Sequence, residues 1–383
     1  MLFQQKINST TTHFQNKDIS LGFRSLIDCV LDTQHLPFYQ AIIALTEWKE
    51  STAYTENEFL DRVAQLTSEL ANFPINEPET RTTLIATKSL TKRYGQKKFA
   101  IGPIDIAIKA GEVWGLVGEN GNGKTTLLRI LAKDLSYNEG ALTIEFEKET
   151  TDEYDLRTKL TYIPQRTPKW HGSLKSNLKF TAAHYGIKGE ENELLVLMMI
   201  IRFGLWNFRN HQWNELSSGY KMRFELARTF LRAPKILLLD EPLANLDVMA
   251  QQLILEDLKS LSQSISNPIG IVLSSQQLFE VEKIADSVLF LSNGRPTFLN
   301  EIASEQESVK TVIELEVSCS REELIAAFSE ITILELTFNG GVYMITIEGE
   351  NRMRAIMSAL ITHHIDAKYI RDISNSTRRL FLK

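Results

Sequence analysis

Nine consecutive residues, Gly118-Glu119-Asn120-Gly121-Asn122-Gly123-Lys124-Thr125-Thr126, restrict what this chain can fold into more than any other stretch. They fit the pattern of a glycine, four residues, then Gly-Lys-Thr. The apolar run Val113–Val117 before them reads as a buried parallel strand. The run after them reads as a helix with Leu127, Leu128 and Leu131 on one face. A strand, a glycine loop and a helix start together surround an anion with backbone N–H groups and the positive end of a helix dipole. Lys124 can reach the β- and γ-phosphates of a nucleotide, and the Thr125 hydroxyl can ligate Mg²⁺. Nucleotide binding is therefore the first expectation, and an α/β fold comes with it.

With 383 residues the chain has room for two or three domains. A formal net charge of −6 and a pI of 5.8 argue against a nucleic-acid binder, which usually shows a basic face. Cys29 and Cys319 lie in apolar periodic patterns, so buried free thiols in a reducing compartment are expected. The first residues, Met1-Leu2-Phe3-Gln4-Gln5-Lys6, have neither the apolar core nor the cleavage site of a signal peptide. The longest apolar run, 194–201, is far short of the roughly 20 residues that span a bilayer. Burial in a helical subdomain is its expected fate.

Taken in order, the chain starts with a polar lead-in. A helix follows on Phe23, Leu26, Ile27, Val30 and Leu31, and a second starts near Pro37. A third opens on the capping box Thr55-Glu56-Asn57-Glu58 and carries Phe59, Val63, Leu66, Leu70 and Phe73. This helical extension, 1–73, holds no catalytic constellation. A linker is expected over 74–80, then strands over 82–87, 142–146, 160–163, 236–239 and 269–273, and a mostly helical stretch over 173–213. A hairpin at Asn293-Gly294 closes that domain. From about Lys310 the order becomes strand, helix, strand, strand, helix, strand: 312–317, a capping box at Ser320, 331–338 and 342–347 around Asn339-Gly340-Gly341, a helix after Asn351, and 368–373. That order predicts a small ferredoxin-like sandwich. The adjacent His363-His364 reads as a helix end rather than a metal site, since no second ligand cluster accompanies it.

The chemistry gathers near the phosphate loop. Strand 236–239 ends in Asp240-Glu241, which delivers Asp240 to hold Mg²⁺ and Glu241 to polarise the attacking water. The order and spacing of these motifs resemble the ATPase subunit of ATP-binding cassette (ABC) transporters over about 82–299. Leu216-Ser217-Ser218-Gly219-Tyr220 resembles the family's Leu-Ser-Gly-Gly-Gln signature, with departures at Ser218 and Tyr220. The resemblance implies that Ser217 and Gly219 contact the γ-phosphate bound to the other subunit. It also implies that Gln165, after Tyr162-Ile163-Pro164, is the Q-loop glutamine sensing the γ-phosphate and Mg²⁺. Ala244-Asn245-Leu246-Asp247 resembles the D-loop lining the dimer seam, and Tyr94 the aromatic that stacks on adenine. The switch histidine falls on Gln276, an amide that can donate a hydrogen bond but cannot become cationic.

The resemblance extends to the exporter-type branch, whose permease is a separate chain. Asn177 to Ile187 is similar to that branch's helical subdomain, and a C-terminal accessory domain also occurs there. The expected architecture is a P-loop ABC ATPase core, 82–300, with a helical subdomain over 169–213, the N-terminal helical extension and a C-terminal ferredoxin-like α+β domain, 310–383. The implied ligands are ATP and Mg²⁺. Expected nucleotide-binding residues are Tyr94, Gly118, Asn120, Gly121, Asn122, Gly123, Lys124, Thr125, Thr126, Ser217, Gly219 and Asp247. The expected metal set is Thr125, Gln165 and Asp240, and the expected catalytic set Glu241, Gln276 and Gln165. The implied protein is a cytoplasmic homodimer on the inner face of the cell membrane that powers a separate permease, with export as its direction and no nucleic acid as partner. With Gln276 at the switch position its ATPase turnover is expected to be slow. Alternatives are a soluble ABC-type ATPase acting on ribosomes or nucleic acid, or a regulatory ATP-binding module with little turnover.

Overall fold

The computed structural model describes residues 2–51, 53–77, 81–95, 99–298, 310–339, 341–349 and 352–374. The expectations for Pro78–Thr80, Gly340 and Asn351 lie outside them. The chain divides into two compact units, Met1–Asp286 with Leu291–Pro296, and Ser287–Phe290 with Thr297–Lys383.

Four helices open the first unit: α1 Leu2–Gln15, α2 Ile19–Thr33, α3 Leu36–Ser51 and α4 Glu56–Ala71. The first corrects the reading of a polar lead-in. Its buried residues, Phe3, Ile7, Thr10 and Phe14, fall on one helical face, but one of the four is polar. Thr10 is accommodated because its hydroxyl bonds Lys6 O at 2.9 Å and the Ser25 hydroxyl at 2.6 Å. The capping box of α4 forms as expected, with Glu58 N donating to Thr55 Oγ1 and Thr55 N donating to Glu58 Oε2 at 2.7 Å. Cys29 is buried, and burial pushes its thiol up to about 11; Cys319 is only half-buried, contrary to expectation.

The nucleotide-domain elements follow. Strands β1 Thr83–Arg93, β2 Ala100–Lys109 and, after β3 Val113–Val117 and helix α5 Lys124–Leu131, β4 Glu139–Ile144 supply an antiparallel sheet of order β2-β1-β4. Residues 145–146, expected as strand, belong instead to a 3₁₀ turn, Glu145–Glu149, which buries Phe146. Helix α6 Glu153–Lys159 leads to β5 Leu160–Ile163. Helices α7 Leu174–His184, α8 Gly189–Arg202 and α9 Ser218–Phe230 come next, then β6 Ile236–Leu239, α10 Val248–Ser262, β7 Gly270–Ser275 and α11 Leu278–Glu282. The second sheet runs β5-β6-β7-β3, all parallel, and its order continues through β8 Ser287–Ser292 and β9 Arg295–Phe298. All four residues of β6 are 0% exposed, as an apolar strand covered on both faces must be. Asn293 and Gly294 both have positive φ, the conformation that the Asn-Gly hairpin signal predicts.

Within the first unit the N-terminal helices are fastened to the nucleotide elements by buried charge. The Arg202 guanidinium, at the end of α8, donates to Asp28 of α2 and, at 2.6 Å, to Asp257 of α10. Ser260 Oγ donates to the same Asp28, at 2.5 Å. Asp32 accepts from Lys6 at 2.5 Å, from Ser264 Oγ at 2.7 Å and from Ile265 N at 2.9 Å. Burial alone would raise the Asp28 carboxyl; Arg202 and Lys6 with the bonds from Arg202 and Ser260 outweigh it and hold the group below its ordinary value. The apolar run at 194–201 lies in α8, where Val196, Met198 and Ile200 are fully buried, as expected.

The second unit contains strands Lys310–Val317, Ile333–Asn339, Val342–Glu348 and Ala367–Asp372, with helices Arg321–Ala327 and Met353–Thr362 between them. Numbered β10 to β13 in chain order, the strands form an antiparallel sheet of order β11-β12-β10-β13, the ferredoxin-like arrangement. Its core includes Ile313, Leu315, Leu324, Phe328, Ile345, Ile356 and Leu360. Ser320 and Glu323 form the expected capping box. His363 caps the second helix, in keeping with a helix-end role.

Candidate nucleotide site

The phosphate loop is shaped by glycines that other residues could not replace. At Gly118 (φ +155°) an added Cβ would lie 2.3 Å from Leu291 O, and at Gly123 (φ +100°) 2.2 Å from Ile101 Cγ2. At Gly121 (φ +84°) it would meet nothing within 4 Å, so the loop presents bare backbone to open space there. Asn122 Oδ1 accepts from Asn293 N at 3.0 Å and fixes the loop from one side.

Lys124, the first residue of α5, is buried at 5% exposure. Its ammonium donates to Gly118 O at 2.7 Å and Glu119 O at 3.2 Å, and lies 3.2 Å from Glu241 Oε1. Thr125 Oγ1 donates to Asp240 Oδ2 at 2.8 Å. Ser274, at the end of β7, donates to Asp240 Oδ1 at 2.8 Å and accepts from Glu241 N at 2.9 Å. The Tyr162 phenol donates to Asp240 Oδ2 at 3.3 Å, and burial with the adjacent carboxylate pushes it well above the usual tyrosine range. Three parallel strands thus converge on one carboxylate: β5 supplies Tyr162, β6 leads to Asp240 and β7 supplies Ser274.

Glu241 stands apart within this cluster. Its φ is +49°, in the left-handed region, and its buried Oε1 has no hydrogen-bond partner among the described residues. The Thr125 hydroxyl and Asp240 carboxylate are neighbouring oxygen donors of the kind Mg²⁺ takes. Beside them lie the Lys124 ammonium, held by two carbonyls and the Glu241 carboxylate, open space at Gly121 and the N-terminus of α5. The residues present fit a nucleotide triphosphate with its magnesium ion.

The other expected residues fall in separate places. Tyr94 is 39% exposed, its hydroxyl 3.4 Å from Thr126 Oγ1 and its ring 5.5 Å from the Lys92 ammonium. Ser217 caps α9, accepting from Tyr220 N, and Asp247 caps α10, accepting from Ala250 N at 2.9 Å. A Cβ on Gly219 would touch Ala250 Cβ at 3.4 Å, so the two helix starts lie against each other. Asn120, Gln165 and Gln276 are exposed, and the side chains of Gln165 and Gln276 make no hydrogen bond among the described residues. Neither Tyr162, quoted in sequence beside Gln165, nor Ser274, one residue past the strand expected over 269–273, carries a local signal of this role.

Residues 101–244 match the model of the ABC transporter family. The lantibiotic transport ATP-binding protein SrtF of Streptococcus pyogenes is 30% identical over 213 residues, 55% of this chain and 88% of the relative. The chain belongs to the ABC transporter ATP-binding proteins. A second relative in that family, NatA of Bacillus subtilis (strain 168), is 27% identical over 240 residues, 60% of this chain and 94% of its own length. Among solved structures, cbiO1 of Clostridium perfringens, part of the ABC transporter complex cbiONQ, matches with a TM-score of 0.51 at 25% identity, over 59% of this chain and 92% of that one. The family match covers residues 101–244, and the family is one of ATPases that bind ATP with Mg²⁺.

Proposed function

We propose that this ABC protein hydrolyses ATP as one half of a homodimer and thereby drives a separate membrane permease. The observation carrying the reading is the cluster of Lys124, Thr125, Asp240 and Glu241, in which Glu241 Oε1 is buried without a hydrogen bond. Lys124 and the loop amides of Gly121 to Thr125 would hold the phosphates, and the Tyr94 ring would stack on the base. Thr125, Asp240 and Gln165 would hold the metal. ATP–Mg²⁺, when bound, supplies the phosphoanhydride bond whose cleavage releases free energy.

In the mechanism, Ser274 and Tyr162 fix Asp240 by hydrogen bonds, so its carboxylate needs little reorganisation to serve a cation. Glu241 is held by its backbone N–H on Ser274 while its carboxylate remains available as a base toward water. A bound phosphate would compete with the Glu241 carboxylate for the Lys124 ammonium, 3.2 Å from Oε1, and so free that carboxylate to face the attacking water. Ser217, Gly219 and Asp247 would close over the nucleotide of the second subunit, and Gln276 would donate its amide to the γ-phosphate. Catalysis of this kind is mainly positioning and charge stabilisation.

Among the described residues no helix is long and apolar enough to cross a membrane. Export as the direction rests on the likeness of Asn177 to Ile187 to exporter-type ATPases. A location on the inner face of the cell membrane follows from the same reading. Gln276 favours a second reading, a module that binds ATP and turns it over slowly. Steady-state phosphate release by the purified protein, alone and with a copurified permease, tests the proposal against wild type and Glu241→Gln side by side. Release that depends on Glu241 and rises with the permease is the expected result. Equal release from both proteins overturns the hydrolytic reading, and transport assays in vesicles of both orientations decide direction.

A further inference from the structure

The two departures from the family signature each have a place in this fold. Tyr220 packs on Phe208 with ring centroids 4.1 Å apart, and the Arg223 guanidinium lies 5.6 Å from its ring. Ser218 puts a hydroxyl where Leu-Ser-Gly-Gly-Gln has a hydrogen atom. That hydroxyl donates to Asn245 O at 2.9 Å.

Asn245 lies in a loop whose carbonyls are otherwise held from the side of α10. Gln251 Nε2 donates to both Leu243 O and Leu246 O, at 3.2 Å each. Ala244 N donates to Glu241 O at 3.1 Å, which closes the turn that starts at Glu241. Asn245 itself has φ +62°, a left-handed conformation that costs a non-glycine residue energy unless its surroundings hold it. Carbonyls 243, 245 and 246 are thus all fixed by side chains, two by Gln251 and one by Ser218. Among the described residues only the Ser218 bond comes from the signature segment, where Ser218 opens α9.

We propose that Ser218 is a positioning residue: its hydroxyl locks the signature loop at 216–219 to the loop that runs from Glu241 to Asp247. The two loops then move as one body, and Ser217 and Asp247 reach the nucleotide of the second subunit together. Without the bond each loop must be ordered separately as the dimer closes. This inference rests on the homodimer of the proposed function, and it adds that this chain completes its seam within each subunit before ATP arrives. One neutral hydrogen bond at an exposed position corresponds to about a three- to ten-fold effect on closure.

The test uses the full chain carrying Glu241→Gln, compared with the same protein carrying also Ser218→Ala or Ser218→Thr. Amide hydrogen exchange of 244–247 is measured without nucleotide. The ATP–Mg²⁺ concentration that gives half dimerisation is then read by light scattering. Ser218→Ala is expected to speed exchange and raise that concentration three- to ten-fold, and Ser218→Thr to restore both. Unchanged exchange in Ser218→Ala overturns the lock. Faster exchange with an unchanged dimerisation midpoint overturns the positioning role. Absence of any ATP-driven dimer in the parent protein overturns the homodimer reading and the positioning role with it, and the nucleotide-free exchange then decides separately whether the hydroxyl holds the loop.

Discussion

Two buried ionic clusters in the first unit are built from similar residues and differ in how completely they are closed. Around Arg202, two aspartates, a serine and the guanidinium satisfy one another, and Asp32 nearby receives a lysine, a serine and a backbone N–H. Around Lys124, the ammonium is shared between two backbone carbonyls and the Glu241 carboxylate, whose buried Oε1 lies 3.2 Å away and has no further partner among the described residues. A closed cluster fixes helices in place. An open one holds its polar atoms ready for something that is not part of the chain.

Mutation should separate the two. Glu241→Gln removes the base without changing its shape, so phosphate release should fall by about 10²- to 10⁴-fold while ATP stays bound. Arg202→Leu leaves Asp28 and Asp257 buried without their cation, and should cost about 3–5 kcal/mol in chemical denaturation. A loss below 1 kcal/mol would show that this network is not what holds α2 to α8 and α10. Ionised Asp28 is favoured by the fold, since its carboxyl is held below its ordinary value. Its contribution is therefore present above the unfolded value near 4 and lost as pH falls through the folded one. Wild-type stability should drop as pH falls below about 4, and Arg202→Leu should flatten that dependence. Gln276→His should raise turnover about tenfold, since a protonated imidazole makes a charge-assisted bond about twice as strong as that of a neutral amide. A decrease would mean the glutamine suits its site. Smallest of all, deleting 310–383 should leave the ATP-induced rise in melting temperature unchanged, because the ferredoxin-like core closes on itself.

The open cluster was far more legible in the sequence than the closed one. Lys124, Thr125, Asp240 and Glu241 sit at fixed spacings beside a strand and a helix, and each spacing has a chemical reason. Asp28, Arg202 and Asp257 are separated by more than fifty residues from one another, and each reads locally as an ordinary surface charge on an amphipathic helix. Only tertiary packing brings them together, so no local pattern announces them. Helix α1 escaped for a related reason, with Thr10 standing where a leucine would have completed the stripe. Tyr162 was quoted beside Gln165 but given no role, and Ser274 lies just past the strand expected over 269–273, because their partner Asp240 is distant in sequence and adjacent only through the parallel sheet. The order of strands and helices in the described part of the C-terminal unit was readable, since its capping box and period-two strands are local signals.

The central proposal is that ATP binds at the Lys124 cluster and not at the Arg202 cluster. Thermal unfolding with and without saturating ATP–Mg²⁺ tests it directly, because a ligand at about 100 times its dissociation constant adds about 2.7 kcal/mol to the folded state. Wild type and Arg202→Leu should both melt at a higher temperature with ATP, the latter from a lower starting point, and Lys124→Ala should show no shift. A full ATP-induced shift in Lys124→Ala would contradict the assignment of the site.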